Sequence, residues 1–149
     1  MGLKAVFYIL SNDSSPKGRY LYTCRIIEKA FNNNHKIYIH TANLEETQTF
    51  DIQLWTFGDI SFVPHEIHPP SLDQDTPILI GHESPPSSQN DILINLTPEI
   101  APFYKQFKHL IEVIPNEDSL KALARKRFQI YKKAGYSTEV FNVEIPTKR

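Results

Sequence analysis

The chain has 149 residues, 40% of them hydrophobic and 22% charged, with a formal net charge of -1. That size and composition predict one globular domain with one core, and the near-neutral balance excludes a general electrostatic coat for nucleic acid, so any anion must be met locally. The single cysteine cannot form an internal disulfide, the apolar run near the N-terminus is too short for a secretory signal, and no stretch of about 18 apolar residues points to a membrane span, so a soluble cytoplasmic protein is expected.

In chain order, the first predicted element is a strand over Ala5 to Leu10 (AVFYIL). A helix over Arg19 to Asn32 follows, then a strand over Lys36 to His40 and a helix over Leu44 to Trp55. In the middle, prolines fall among Ser, Asp and Gln residues. Pro69 to Pro77 and Ser84 to Gln89 read as surface loops, each too short to separate two cores. Strands are predicted at Ile78 to Ile80, Asp91 to Leu96 and Leu110 to Ile114, with helices at Glu99 to Phe107 and Asp118 to Ala134. Strands alternating with helices predict an α/β protein with a mainly parallel sheet covered on both faces, a three-layer architecture. Residues 1–149 are taken as one domain, with Glu144 to Arg149 as a frayed polar tail.

A parallel sheet raises the question of nucleotide chemistry. A phosphate cradle needs glycines close together at a helix N-terminus, whereas Gly2, Gly18, Gly58, Gly81 and Gly135 are scattered, and the turn after the first strand reads SNDSSPKG. His65, Glu66 and His68, with His82 beyond, lack the pairing of a metal site and read as scattered surface histidines. No GxSxG elbow is present, and Cys24 reads as a buried helix residue. No catalytic residue, cofactor or metal ligand is predicted.

Two constellations suit binding instead. In the last helix, Asn116 is the expected N-cap and Gly135 the left-handed stop. Leu120, Leu123, Ala124, Ile130, Tyr131 and Ala134 form the side expected to face the sheet. Lys121, Arg125, Phe128 and Lys132 form a second stripe, within about 60° of one another. A basic stripe around an aromatic fits an acidic peptide with an apolar end, but also a plain solvated face or a track for single-stranded nucleic acid. Arg127 falls inside the apolar arc and is expected to snorkel or to pair with a carboxylate. The second constellation is the apolar patch Leu54, Trp55, Phe57, Phe62, Val63 and Pro64, which is either core or an interface anchored by aromatics.

FYIL at Phe7 to Leu10, LW at Leu54 and Trp55, SFVPH at Ser61 to His65, DILINL at Asp91 to Leu96 and EDSLKALARKRFQIYKKAG at Glu117 to Gly135 together resemble the chi subunit of bacterial DNA polymerase III holoenzyme. The similarity runs from about Phe7 to about Asn142, nearly the whole chain. It implies a Rossmann-like fold without nucleotide chemistry, and a non-catalytic role in the clamp loader during DNA replication. Two protein partners are implied, the psi subunit and the C-terminal tail of single-stranded DNA-binding protein, so that DNA is met only indirectly. Trp55, Phe62 and Pro64 match positions associated with psi; Lys121, Arg125 and Phe128, with Ile114 nearby, match those associated with the tail. The family often has tyrosine where this chain has Phe128, and a basic residue where it has Gln129; Lys132 or Lys133 is the compensating cation. A nucleotide-binding module or a direct single-stranded DNA binder are the alternatives.

Overall fold

The structure, a computed structural model, describes residues 2–12, 14–56, 64–68 and 76–144. Seven strands form one sheet in the order β3-β4-β2-β5-β6-β1-β7, and every pairing between neighbours is parallel. The strands are β1 (Lys4–Leu10), β2 (Ile37–His40), β3 (His65–Ile67), β4 (Ile78–Gly81), β5 (Ile92–Asn95), β6 (His109–Ile114) and β7 (Ser137–Val143). The helices are α1 (Pro16–Asn32), α2 (Leu44–Trp55) and α3 (Asp118–Lys133).

The central strands bury both faces, which is why they read as unbroken aliphatic runs rather than as an alternation. Ile37, Ile39, Ile78, Ile80, Ile92 and Ile94 turn to one side, where they meet Cys24 and Ile27 of α1 and Phe50 and Leu54 of α2. The intervening Tyr38, Leu79 and Leu93 turn to the other, against Ala124 and Tyr131 of α3 and the segment carrying Ala101, Tyr104 and Phe107. The predicted three-layer α/β arrangement is therefore the observed one.

Local chemistry sets the helix starts. Ser15 caps α1 by accepting from Gly18 N–H at 3.0 Å, with Pro16 at the first helical position, so α1 begins three residues before the predicted Arg19. Asn43 caps α2 by accepting from Glu46 N–H at 2.8 Å, and Glu46 reaches back to accept from Ala42 N–H at 2.8 Å, close to a reciprocal capping box. The same carboxylate takes Arg19 at 3.1 Å and the Tyr20 hydroxyl at 2.9 Å, tying α1 to α2.

Several expectations are corrected. Glu99 to Phe107 is no helix: only a single 3-10 turn forms, at Tyr104–Gln106. Pro102 removes a donor and pushes Ala101 away from helical angles, and the buried residues Ala101, Tyr104 and Phe107 recur every third position, the period of a 3-10 turn. Asn116 does not cap α3; its amide donates to Ser11 O at 3.1 Å, and Glu117 occupies the N-cap with its carboxylate accepting from the Ser119 hydroxyl at 2.8 Å rather than from a backbone N–H. Gly135 does take the left-handed stop, at φ 100°. Leu123 and Ile130 are exposed, and the buried face of α3 is Ala124, Arg127 and Tyr131. Strands β3 and β7 were not predicted: β3 has only three residues, and β7 mixes Ser, Glu and Asn with its apolar residues, as edge strands do. Of the expected tail, 145–149 lie outside the described residues.

One glycine is required by close approach. A Cβ at Gly81 would lie 2.6 Å from the Tyr38 hydroxyl and 3.1 Å from His68 Cβ. Tyr38 is fully buried, donates to Glu83 O and is hemmed in by the rings of His40, Phe103 and Phe107, so it has nowhere to retreat. Gly81→Ala is expected to destabilise the fold by about 1–3 kcal/mol, read as a lower urea midpoint at unchanged slope.

Candidate functional site

α3 lies against β1, β6 and β7, and between the helix and the edge strand a groove of about 520 Å³ remains open. Phe7 and Ile9 of β1, Ala124 and Phe128 of α3 and Val140 of β7 supply its apolar surface. Lys121, Arg125, Gln129 and Asn142 supply the polar groups that line it. The spacing of Lys121, Arg125 and Phe128, four and then three residues apart, puts them on one helix face. Phe7 and Ile9 share the matching sheet face because alternate strand residues do.

Phe128 is half-buried, its ring 5.7 Å from Phe7 at 51°, so it serves both as a lid on the core and as a groove wall. Arg125 is exposed and Lys121 partly so, and among the described residues neither has a carboxylate within ion-pair distance. Two cations beside an apolar floor therefore remain free to meet an incoming anion. The remaining predicted members are not brought here. Lys132 is exposed in the last turn of α3 outside the groove lining, and Ile114 is buried at the end of β6. Phe7, Ile9, Val140 and Asn142 complete the groove and were missed, because their membership depends on which strand lies beside which.

Beneath α3 sits a buried polar network. Glu112 of β6 is 1% exposed and Arg127 4%. Arg127 grips the carboxylate through Nε at 3.0 Å and Nη2 at 3.0 Å, the Tyr131 hydroxyl donates to it at 2.6 Å, and the Asn95 amide at 3.2 Å. Arg127 also donates to Pro98 O. Burial pushes Glu112 above the usual carboxylate range, and Arg127 is the largest influence pulling it back. Arg127 therefore pairs rather than snorkels, and it is structural.

The second constellation divides. Leu54 is fully buried whereas Trp55 is 55% exposed, its ring 4.5 Å from that of His65. Leu44 and Ile52 are exposed too, and at 100° per residue they fall on the same side of α2 as Trp55. Pro64 is exposed nearby, while Phe57, Phe62 and Val63 lie outside the described residues. Asp51 holds the underside, 3.5 Å from His65 and bonded by the Trp55 side chain. His65 is thus buried, not a surface histidine as expected. Glu66 accepts from Thr76, and His68 and His82 meet Ser84 O and Glu83 separately.

The crevice at the carboxyl ends of the strands, where open α/β sheets hold ligands, is largely filled. Arg19 donates to Leu96 O at 2.7 Å as well as to Glu46. The space left is about 260 Å³, its charged lining being Arg19, Glu46, Glu117 and Arg127, and small-molecule pockets run to roughly 300–1,000 Å³. Cys24 is buried, which pushes its thiol up to about 12 and keeps it from acting as a thiolate. Among the described residues no helix is long and apolar enough to cross a membrane.

The parallel α/β scaffold pairs Arg127 with Glu112 inside and displays outside a groove with two cations and a face carrying the exposed Trp55. Comparison with known sequences is specific. The profile of the DNA polymerase III chi subunit, HolC, matches residues 3–139. Similar proteins include the DNA polymerase III subunit chi of Pseudomonas aeruginosa, 32% identical over 130 residues (87% of this chain, 89% of the relative). That of Escherichia coli is 31% identical over 137 residues (89% and 93%), and that of Haemophilus influenzae 28% over 144 residues (96% and 99%). The chain belongs to the DNA polymerase III chi subunit family.

Proposed function

We propose that this chain is a non-catalytic accessory subunit of the DNA polymerase III clamp loader that bridges the psi subunit and the acidic C-terminal tail of single-stranded DNA-binding protein. The observation that carries this reading is the groove between α3 and β7, where an apolar floor adjoins two cations with no ion-pairing carboxylate among the described residues. Such a surface matches the end of a peptide that carries both an apolar residue and a terminal carboxylate: Arg125 can take the carboxylate through two N–H groups, and Phe7, Phe128 and Val140 shield the side chain from water. Lys121 adds attraction for acidic residues upstream, which speeds encounter more than it deepens binding. DNA is then approached through a protein partner, in keeping with the net charge of -1.

The psi subunit is assigned to a separate face that carries Trp55 and Pro64 and is extended by Leu44 and Ile52; Phe62, the third residue that the resemblance implies, lies outside the described residues. Exposed Trp beside aliphatic residues is the composition of an interface centre. Trp55→Ala is expected to change folding stability by about 1 kcal/mol or less, because the ring is more than half exposed. The same change should weaken association with psi by about 2 kcal/mol or more, with tail binding untouched. Co-purification with psi followed by calorimetry measures both; psi affinity equal to wild type would remove this face from the proposal. Purifying the untagged chain from its native cells and identifying its companions tests the bridging role as a whole.

A further inference from the structure

Three residues that the binding surfaces do not use converge at the amino-terminal edge of the sheet. His35 precedes β2, Asp91 precedes β5 and His109 opens β6, and the parallel register sets Ile37 beside Ile92 and Ile92 beside His109. Asp91 is fixed by its neighbours on both sides: its carboxylate accepts Lys36 N–H at 3.1 Å, and its carbonyl accepts His109 N–H at 2.9 Å. Its Oδ2 lies 2.9 Å from His35 Nδ1 and its Oδ1 3.8 Å from His109 Nδ1. The two imidazoles meet at 73° with centroids 6.0 Å apart, so their nitrogens converge rather than stack. One ligand atom from each residue lies within 4.8 Å of the others, the only such grouping among the described residues.

We propose that His35, Asp91 and His109 form a binding site for a divalent transition metal of the zinc class. Zinc bonds of about 2.0–2.2 Å at tetrahedral angles place ligand atoms about 3.4 Å apart. From separations of up to 4.8 Å the groups need to close by at most about 1.4 Å to reach that spacing, and His35 and Asp91 at 2.9 Å open slightly, which partly exposed imidazoles achieve by turning about their side-chain bonds. Two imidazoles and one carboxylate select zinc, copper or nickel over magnesium or calcium, which take oxygen. Three protein ligands leave a fourth position open to water or to a group from another molecule. Burial is the largest influence on His109 and lowers it, Asp91 pulls it back up, and His35, Lys4 and Lys108 lower it further. Lys4 and Lys108 also repel an incoming cation; the site is therefore one for exchangeable metal rather than a permanent staple. The three residues stand apart in sequence, so no histidine spacing discloses them.

The test uses the untagged full-length chain titrated with zinc chloride by calorimetry. One equivalent is expected to bind, His35→Gln and His109→Gln each weakening it at least tenfold and the double variant removing it. Zinc should raise the melting temperature of the wild type and not that of the double variant. Both histidines are half-exposed, so the metal-free variants should melt as the wild type does. An absence of saturable uptake, or uptake undiminished in the double variant, overturns the site.

Discussion

Replacing Arg127 with methionine is expected to destabilise the protein by about 3–5 kcal/mol, the largest single-residue effect away from the bulk of the core. The change leaves Glu112 sealed beneath α3 with only Tyr131 and Asn95 to offset its charge. Removing one partner of a buried pair strands the other, which costs more than the pair contributes. Converting Glu112 to methionine as well should restore much of the loss, since an apolar pair of similar volume has no charge to desolvate. Urea unfolding of the two single variants and the double gives the coupling directly.

The pH dependence of the Arg127 variant carries a definite sign. Burial already raises Glu112, and losing Arg127, the largest influence in the other direction, raises it further. Folding then takes up a proton that the unfolded chain has lost, so the variant is most stable relative to wild type below the ordinary carboxylate value of about 4.3 and loses ground as pH climbs toward the raised value. A penalty smaller near pH 4 than near pH 7.5 is the expected pattern. A loss under about 1 kcal/mol at neutral pH would show that the network is not what seats α3.

Arg125→Ala is expected to weaken an acidic tail peptide by roughly ten- to a hundredfold, the equivalent of one charge-assisted hydrogen-bonded contact of about 1.5–3 kcal/mol. Arg125 is exposed and supports nothing inside, so the melting temperature should hold. Capping the peptide's terminal carboxylate as an amide should reproduce most of the loss on wild type and add little on the variant, since both remove the same bond. Phe128→Ala is a poorer probe, because Phe128 also packs on Phe7. Calorimetry at two salt concentrations checks the set; equal affinity for the acid and amide peptides would mean that the groove does not read a chain end.

Much of this was present in local pattern. The runs at Ile78–Gly81 and Ile92–Asn95 have room only for a strand buried on both faces, and α2 carries its own start in Asn43 and its acidic first turn. Lys121, Arg125 and Phe128 declared a shared face by spacing alone, and the groove does contain all three. The stripe did not disclose its other wall. Val140 and Asn142 come from β7, whose mixed composition gives little strand signal, and Ile114, which the resemblance placed nearby, is buried at the end of β6.

Backbone sterics and side-chain periodicity act over a few residues, so local pattern alone specifies the central strands, the start of α2 at Leu44, the stop at Gly135, the α/β class and the family signatures. Pairing across the sheet is decided by the register of segments far apart in the chain, which no local pattern encodes. Only the tertiary structure could turn Leu123 and Ile130 outward in favour of Arg127, because Glu112 offered that guanidinium a buried partner fifteen positions earlier. For the same reason, only the structure could set β7 beside β1 to make a groove, or gather His35, Asp91 and His109 at one edge.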